Sequence, residues 1–148
     1  SWDKYVVPTY GGLNGWAHDG TNYINKDSAG LHTVVHEMLH NNTSDEFATI
    51  LGSRFNEGMT EVLTQDSCAV ANEDAPTSYP GESPVVKYAF EQGLSKADTQ
   101  AAYFGGGVKA KVADWIDANC TDNFATFKAN FESKDWAAAK ASLTKKKA

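Results

Sequence analysis

Between Leu31 and His40 the chain carries neither Gly nor Pro, and inside that run stands His36-Glu37-Met38-Leu39-His40. An uninterrupted stretch of this kind is helical, and on a helix residues four apart lie one turn above each other. His36 and His40 therefore project from the same side and are spaced to hold one zinc ion. Glu37 is one step round from the first imidazole, where a carboxylate can take a proton from a water polarised by the ion. The pattern points to hydrolysis, and it commits the middle of the first half of the chain to a helix.

Two imidazoles are too few for a catalytic zinc, which takes three protein ligands and keeps one position open. Downstream, Asn56-Glu57-Gly58-Met59-Thr60-Glu61 lies in a second stretch of helical spacing, with sixteen residues between His40 and Glu57. A connection of that length can turn back and set the second helix against the first, which nominates Glu57 as the third ligand. His32 falls on the same stripe as His36 and His40, but one turn behind the expected metal position. It is read as a surface residue or a support for the ligands. His18 is read as a solvated turn residue.

The pair His36-Glu37-x-x-His40 followed by Asn56-Glu57-Gly58 and Glu61 resembles the gluzincin clan of zinc metallopeptidases. The Asn-Glu-Gly wording is similar to that of the clan's aminopeptidase branch, and the likeness covers about residues 12 to 65. It implies Zn2+ held by His36, His40 and Glu57, with Glu37 as general base. Glu61, one turn after Glu57, matches the position where thermolysin-like members often carry an Asp bonded to a ligand His. A carboxylate there fixes the imidazole tautomer and raises its basicity. The resemblance and the hairpin order also make Asn14, Gly15, Trp16 and Ala17 the edge on which an extended substrate adds itself by main-chain hydrogen bonds. A neutral donor for the developing oxyanion is also needed. Tyr79 is the first choice, with Tyr103 and Tyr88 as alternatives.

The rest of the chain supplies the frame. Tyr5-Val6-Val7-Pro8 reads as a short edge strand. Leu13 to Ala17 and Asn22 to Asn25 flank His18-Asp19-Gly20-Thr21, a strong hairpin cue. Asp27 or Ser28 is the expected N-cap of a helix from about Ala29 to Asn41, with Leu31, Val34, Val35, Met38 and Leu39 as its apolar flank. Thr43-Ser44-Asp45-Glu46 opens a further helix to Leu51, Gly52-Ser53 interrupts, and Arg54 to about Ala71 is helical again. Asn72 to Pro84 holds three of the four prolines and reads as a loop. Helices are then expected from Val85 to about Gln92 and, behind a Ser95-x-x-Asp98 capping box, to Phe104, where Gly105-Gly106-Gly107 ends the run. Val108 to Asn119, Phe124 to Phe131 and Asp135 to Leu143 complete the helices. The expected fold class is α+β and zincin-like. It is one domain, with sheet, metal helix and glutamate helix in residues 1–72 and a mostly helical subdomain in 73–148.

Bulk properties narrow the partners. With 148 residues the chain can bury a core without staples. A net charge of −6 and a pI near 5.1 argue against a nucleic-acid surface, which needs clustered Lys and Arg. The basic run Lys145-Lys146-Lys147 reads as a solvated tail. No apolar run approaches the length that spans a bilayer, so membrane insertion is not expected. The opening residues do not begin a signal peptide. Cys68 and Cys120 either bridge, closing a long loop in an oxidising compartment, or remain separate buried thiols. The reading is a monomeric zinc metalloendopeptidase acting on a peptide or protein, either secreted or the protease module of a larger toxin or effector. The alternative is a catalytically silent zinc-containing module that binds peptide in the same cleft.

Overall fold

Asp19 and Gly20 both adopt positive φ, 48° and 71°. Two such residues in succession make the turn whose twist matches a two-residue hairpin. It joins β1 (Gly15–His18) to β2 (Thr21–Ile24), paired antiparallel from Gly15 opposite Ile24 to His18 opposite Thr21. The computed structural model describes residues 14–25, 30–72 and 78–147. The expected Tyr5–Pro8 strand, Leu13, and the Asp27 or Ser28 cap lie outside the described residues.

Eight α-helices follow among the described residues: α1 (Leu31–Asn41), α2 (Asp45–Leu51), α3 (Ser53–Val70), α4 (Glu82–Glu91), α5 (Lys96–Gly105), α6 (Asp114–Asn119), α7 (Phe124–Glu132) and α8 (Trp136–Leu143). A π-helical turn, Lys109–Ala113, precedes α6. The fold is α+β, and none of these helices is long and apolar enough to cross a membrane.

The chain divides into two compact units, residues 1–42 with 63–77 and residues 43–62 with 78–148. In the first, the hairpin packs on α1. Alternation along β1 sends Gly15 to the helix, where it lies against Thr33 and Glu37. Trp16 and His18 take the opposite face, stacked with ring centroids 4.8 Å apart, and Trp16 also stacks on Tyr23. An amide of Asn41 on α1 donates to the Asn22 side chain on β2, tying the far end of the hairpin to the helix.

The buried face of α1 is not the one its apolar residues suggest. His32, His36 and Glu37 are buried, whereas Leu31 and Met38 are 45% and 51% exposed. The expected apolar flank is therefore turned partly to solvent, and the polar stripe is covered. The helix is capped by Gly30 and starts at Leu31, two residues later than its periodicity suggests.

The second unit is built on aromatic rings. Phe55 on α3 meets Phe47, Phe127 and Phe131 edge to face at 5.9, 6.1 and 6.0 Å, and Tyr103 meets Phe47 at 5.0 Å. All five side chains are fully buried, and each contributes about 1.5–3 kcal/mol by leaving water. Several helix ends follow local rules. Ser95 Oγ accepts the Asp98 amide, Asn123 accepts that of Thr126 and Asp135 that of Ala138. Ser44 does not cap α2 with its hydroxyl, which instead donates to the Ala102 carbonyl at 3.0 Å. The helix expected from Val85 already begins at Glu82, with Pro84 inside its first turn, where a missing N–H costs nothing.

Gly58 on α3 sits where α4 approaches. A Cβ there would stand 2.8 Å from Val86 Cγ2 and 3.0 Å from the Glu82 carbonyl. Gly58→Ala gains about 0.8–1 kcal/mol of helix propensity, but backbone cannot yield as a flexible side chain does, so overpacking of about 1–3 kcal/mol prevails. The expected net effect is a melting temperature lowered by about 2–6 °C, measured by thermal unfolding. An unchanged or higher value would show that α4 moves away at no cost.

Cys68 and Cys120 are both buried, and no disulfide joins them, which answers the question that the sequence left open. Burial pushes the Cys120 thiol up, partly offset by the Lys146 charge. Neither thiol is expected to react with an alkylating reagent until the protein unfolds, and reductant should leave the melting temperature unchanged. Mass spectrometry after native and denatured labelling checks both.

Candidate metal centre

On α1, the Nε2 atoms of His36 and His40 face each other at 3.1 Å, with the rings edge to face and their centroids 4.7 Å apart. His32 continues the row, stacked on His36 at 6.1 Å. His36 is 5% exposed and Glu37 9%, both at the buried side of the helix. Four-residue spacing alone aligns the two imidazoles, and the hairpin on this face shields Glu37.

Glu57 stands in the second turn of α3, and its neighbours are fixed on several sides. Phe55 anchors that turn in the aromatic core. Thr60 Oγ1 bonds the Asn56 carbonyl at 2.8 Å and the Tyr103 hydroxyl at 2.7 Å. The start of α3 is held from 78 positions away, where Glu132 Oε1 accepts the Arg54 amide at 3.0 Å. The other oxygen of Glu132 accepts the Ser53 hydroxyl at 3.2 Å. A carboxylate at a helix N-terminus both satisfies open amides and suits the helix dipole. Arg54 also pairs with the buried Glu82 at 3.3 Å.

The ligand atoms of His36, His40 and Glu57 all lie within 4.8 Å of one another. Two imidazole nitrogens and one carboxylate oxygen are a donor set that zinc takes, with bonds of about 2.0–2.2 Å. Tetrahedral bonds of that length place ligand atoms about 3.3–3.6 Å apart. The imidazole pair at 3.1 Å is close to that spacing. The donor set fits the ion.

The other nominated residues fall as follows. Glu61 is fully buried, and its Oε1 accepts the Ser78 amide at 3.2 Å. Tyr79 is half-buried just before α4, where its carbonyl accepts both the amide and the hydroxyl of Ser83. Tyr103 is a core residue. Burial raises its phenol above the ordinary value, against the lowering hydrogen bonds of Thr43 and Thr60, and the Glu57 charge raises it slightly more. Tyr88 bonds Thr144 at 3.1 Å. Asn14 to Ala17 form β1 and its entry, and the Asn25 amide donates to the Asn14 carbonyl at 2.9 Å.

Three contributors escape a reading of the sequence. Glu132 is too distant to be recognised as the cap of α3. Gly58 reads as part of a motif rather than as the close approach of α4. Gly15 reads as substrate edge, although it also touches Glu37. The glycine itself is the only visible signal for the last two.

Compared with protein-family models, with curated proteins and with solved structures, the chain gives no match.

Proposed function

We propose that this chain is a zinc-dependent metallopeptidase with a zincin-like arrangement, cleaving internal bonds of a peptide or protein. The observation that carries the reading is the convergence of His36, His40 and Glu57 within 4.8 Å, with Glu37 adjacent to the first ligand. His36, His40 and Glu57 would hold the ion. When bound, zinc supplies an acidified water and a Lewis acid for the scissile carbonyl. Glu37 takes the proton of the attacking water and delivers it to the leaving nitrogen, which must depart as an amine. Tyr79 is the proposed neutral donor to the developing oxyanion. Glu61 is proposed to support the ligands from behind, its carboxylate steadied by the Ser78 amide.

The register of the hairpin supports a place for the substrate. Because Asn14 and Asn25 are a hydrogen-bonded pair, alternation makes Trp16 with Tyr23 and His18 with Thr21 the next bonded pairs. The N–H and C=O groups of Gly15 and Ala17 then point away from β2. Among the described residues the sheet has only these two strands, so an extended peptide can add itself along Gly15 and Ala17.

The test is metal analysis of the purified chain together with digestion of a peptide library, with and without chelator. One zinc per chain and cleavage abolished by chelator and restored by zinc are expected. Stoichiometric zinc with no cleavage of any peptide would leave a zinc-containing peptide-binding module in place of the enzyme.

A further inference from the structure

Gly15 does more than offer backbone groups at the open edge of β1. A Cβ built on it would stand 2.7 Å from Glu37 Cγ, 2.9 Å from Glu37 Oε1 and 2.7 Å from Thr33 Cγ2. Real Cβ atoms do not approach that closely, so the Gly15 backbone lies directly against the Glu37 side chain. The strand is not free to retreat, because it is paired in register with β2 and the Asn41–Asn22 hydrogen bond holds the other end of the hairpin to α1. Glu37 in turn is only 9% exposed. A glutamate side chain has three rotatable bonds and keeps much of its freedom unless something covers it.

We infer that Gly15 is a positioning residue for Glu37: the bare backbone of β1 forms a lid that confines the carboxylate to one orientation beside His36. This rests on the metallopeptidase reading for its catalytic meaning, while the contact itself does not. Any side chain at position 15 must displace the Glu37 carboxylate or lift the strand. A methyl group there leaves the N–H and C=O of residue 15 in place, so main-chain binding of a substrate persists. Turnover, and not substrate binding, is then the quantity that Gly15 controls.

A thermal double-mutant cycle tests the contact without reference to activity. G15A should lower the melting temperature by about 3–8 °C, and by clearly less in an E37A background, where the Glu37 atoms are gone and only Thr33 Cγ2 still opposes the methyl group. In a T33S background, relief should be only partial, since Glu37 still blocks the methyl group. Equal losses with and without the Glu37 side chain would overturn the inference. Should G15A alone fail to fold, G15A/E37A/T33S is expected to fold, since both opposing groups are then removed, and its failure counts equally against the contact. Kinetically, G15A should keep full zinc content and lose about 10- to 100-fold in kcat with KM within twofold. A raised KM with kcat preserved would make residue 15 a substrate contact and overturn the positioning role. If the native chain shows no chelator-sensitive cleavage, the metallopeptidase reading falls, and the thermal cycle still decides whether Gly15 and Glu37 are coupled.

Discussion

Glu37→Gln is expected to lower peptide hydrolysis by roughly 10²–10⁴-fold, the range that a positioned proton-transfer group contributes. Zinc content and melting temperature should stay close to those of the native chain. The amide keeps the shape of the carboxylate and so keeps its contacts with Gly15, but it has no basic oxygen to receive a proton at neutral pH. Because Glu37 is not among the three residues proposed to hold the ion, metal retention should not follow activity down. Single-turnover kinetics beside metal analysis separates the two effects. Unchanged turnover in a fully metallated variant would reject Glu37 as general base. Loss of both metal and activity would instead make it a ligand.

Glu57→Ala produces the second large effect, and of a different kind. Removing it leaves two neutral imidazoles and no anionic donor, so zinc affinity is expected to fall by more than roughly 10²-fold, beyond what loss of a residue behind the ligands costs. The fold should survive, since the aromatic core around Phe55 and the Glu132 cap do not involve the Glu57 carboxylate. Competition with a chromophoric chelator measures the affinity, and circular dichroism checks the helices. Full zinc occupancy at micromolar protein would mean that another group completes the site. Glu57→Gln tells charge from shape, because an amide oxygen can occupy the position without neutralising the ion. Its affinity should lie between the native and alanine values.

Much of the local structure was legible because it is decided locally. Asp19-Gly20 announces its turn, Ser95 and Asp98 announce a cap, and His36 and His40 align because a helix repeats every 3.6 residues. The glutamate helix was legible for the same reason. What escaped was decided by tertiary packing. Hydropathy favoured Leu31 and Met38 as the inner face of α1, yet the inner face is His32, His36 and Glu37. An imidazole offers considerable ring area to bury, and Gly15 opens a slot for a carboxylate beneath a strand. Neither property appears on a scale that grades residues one at a time. Ser44 shows the same limit, since its hydroxyl had the right position for a cap and bonds Ala102 instead. The cysteines were undecidable from spacing, because sequence separation says nothing about whether two thiols meet.

The cap that Glu132 places on α3 gives the site a history as well as a geometry. Glu57 leaves the ribosome well before the residue that fixes the start of its helix, and at about 5–20 residues per second the delay is roughly 4–15 s. During that interval the His36-Glu37-x-x-His40 segment is already made, while the Ser53 hydroxyl and the Arg54 amide still await their partner. A nascent chain therefore carries every side chain proposed to bind metal before Glu132 is there to fix the start of α3. Fixing the start of α3 therefore waits for α7, which carries Glu132, and a chain stopped short of residue 132 holds the letters of the motif without this part of its scaffold.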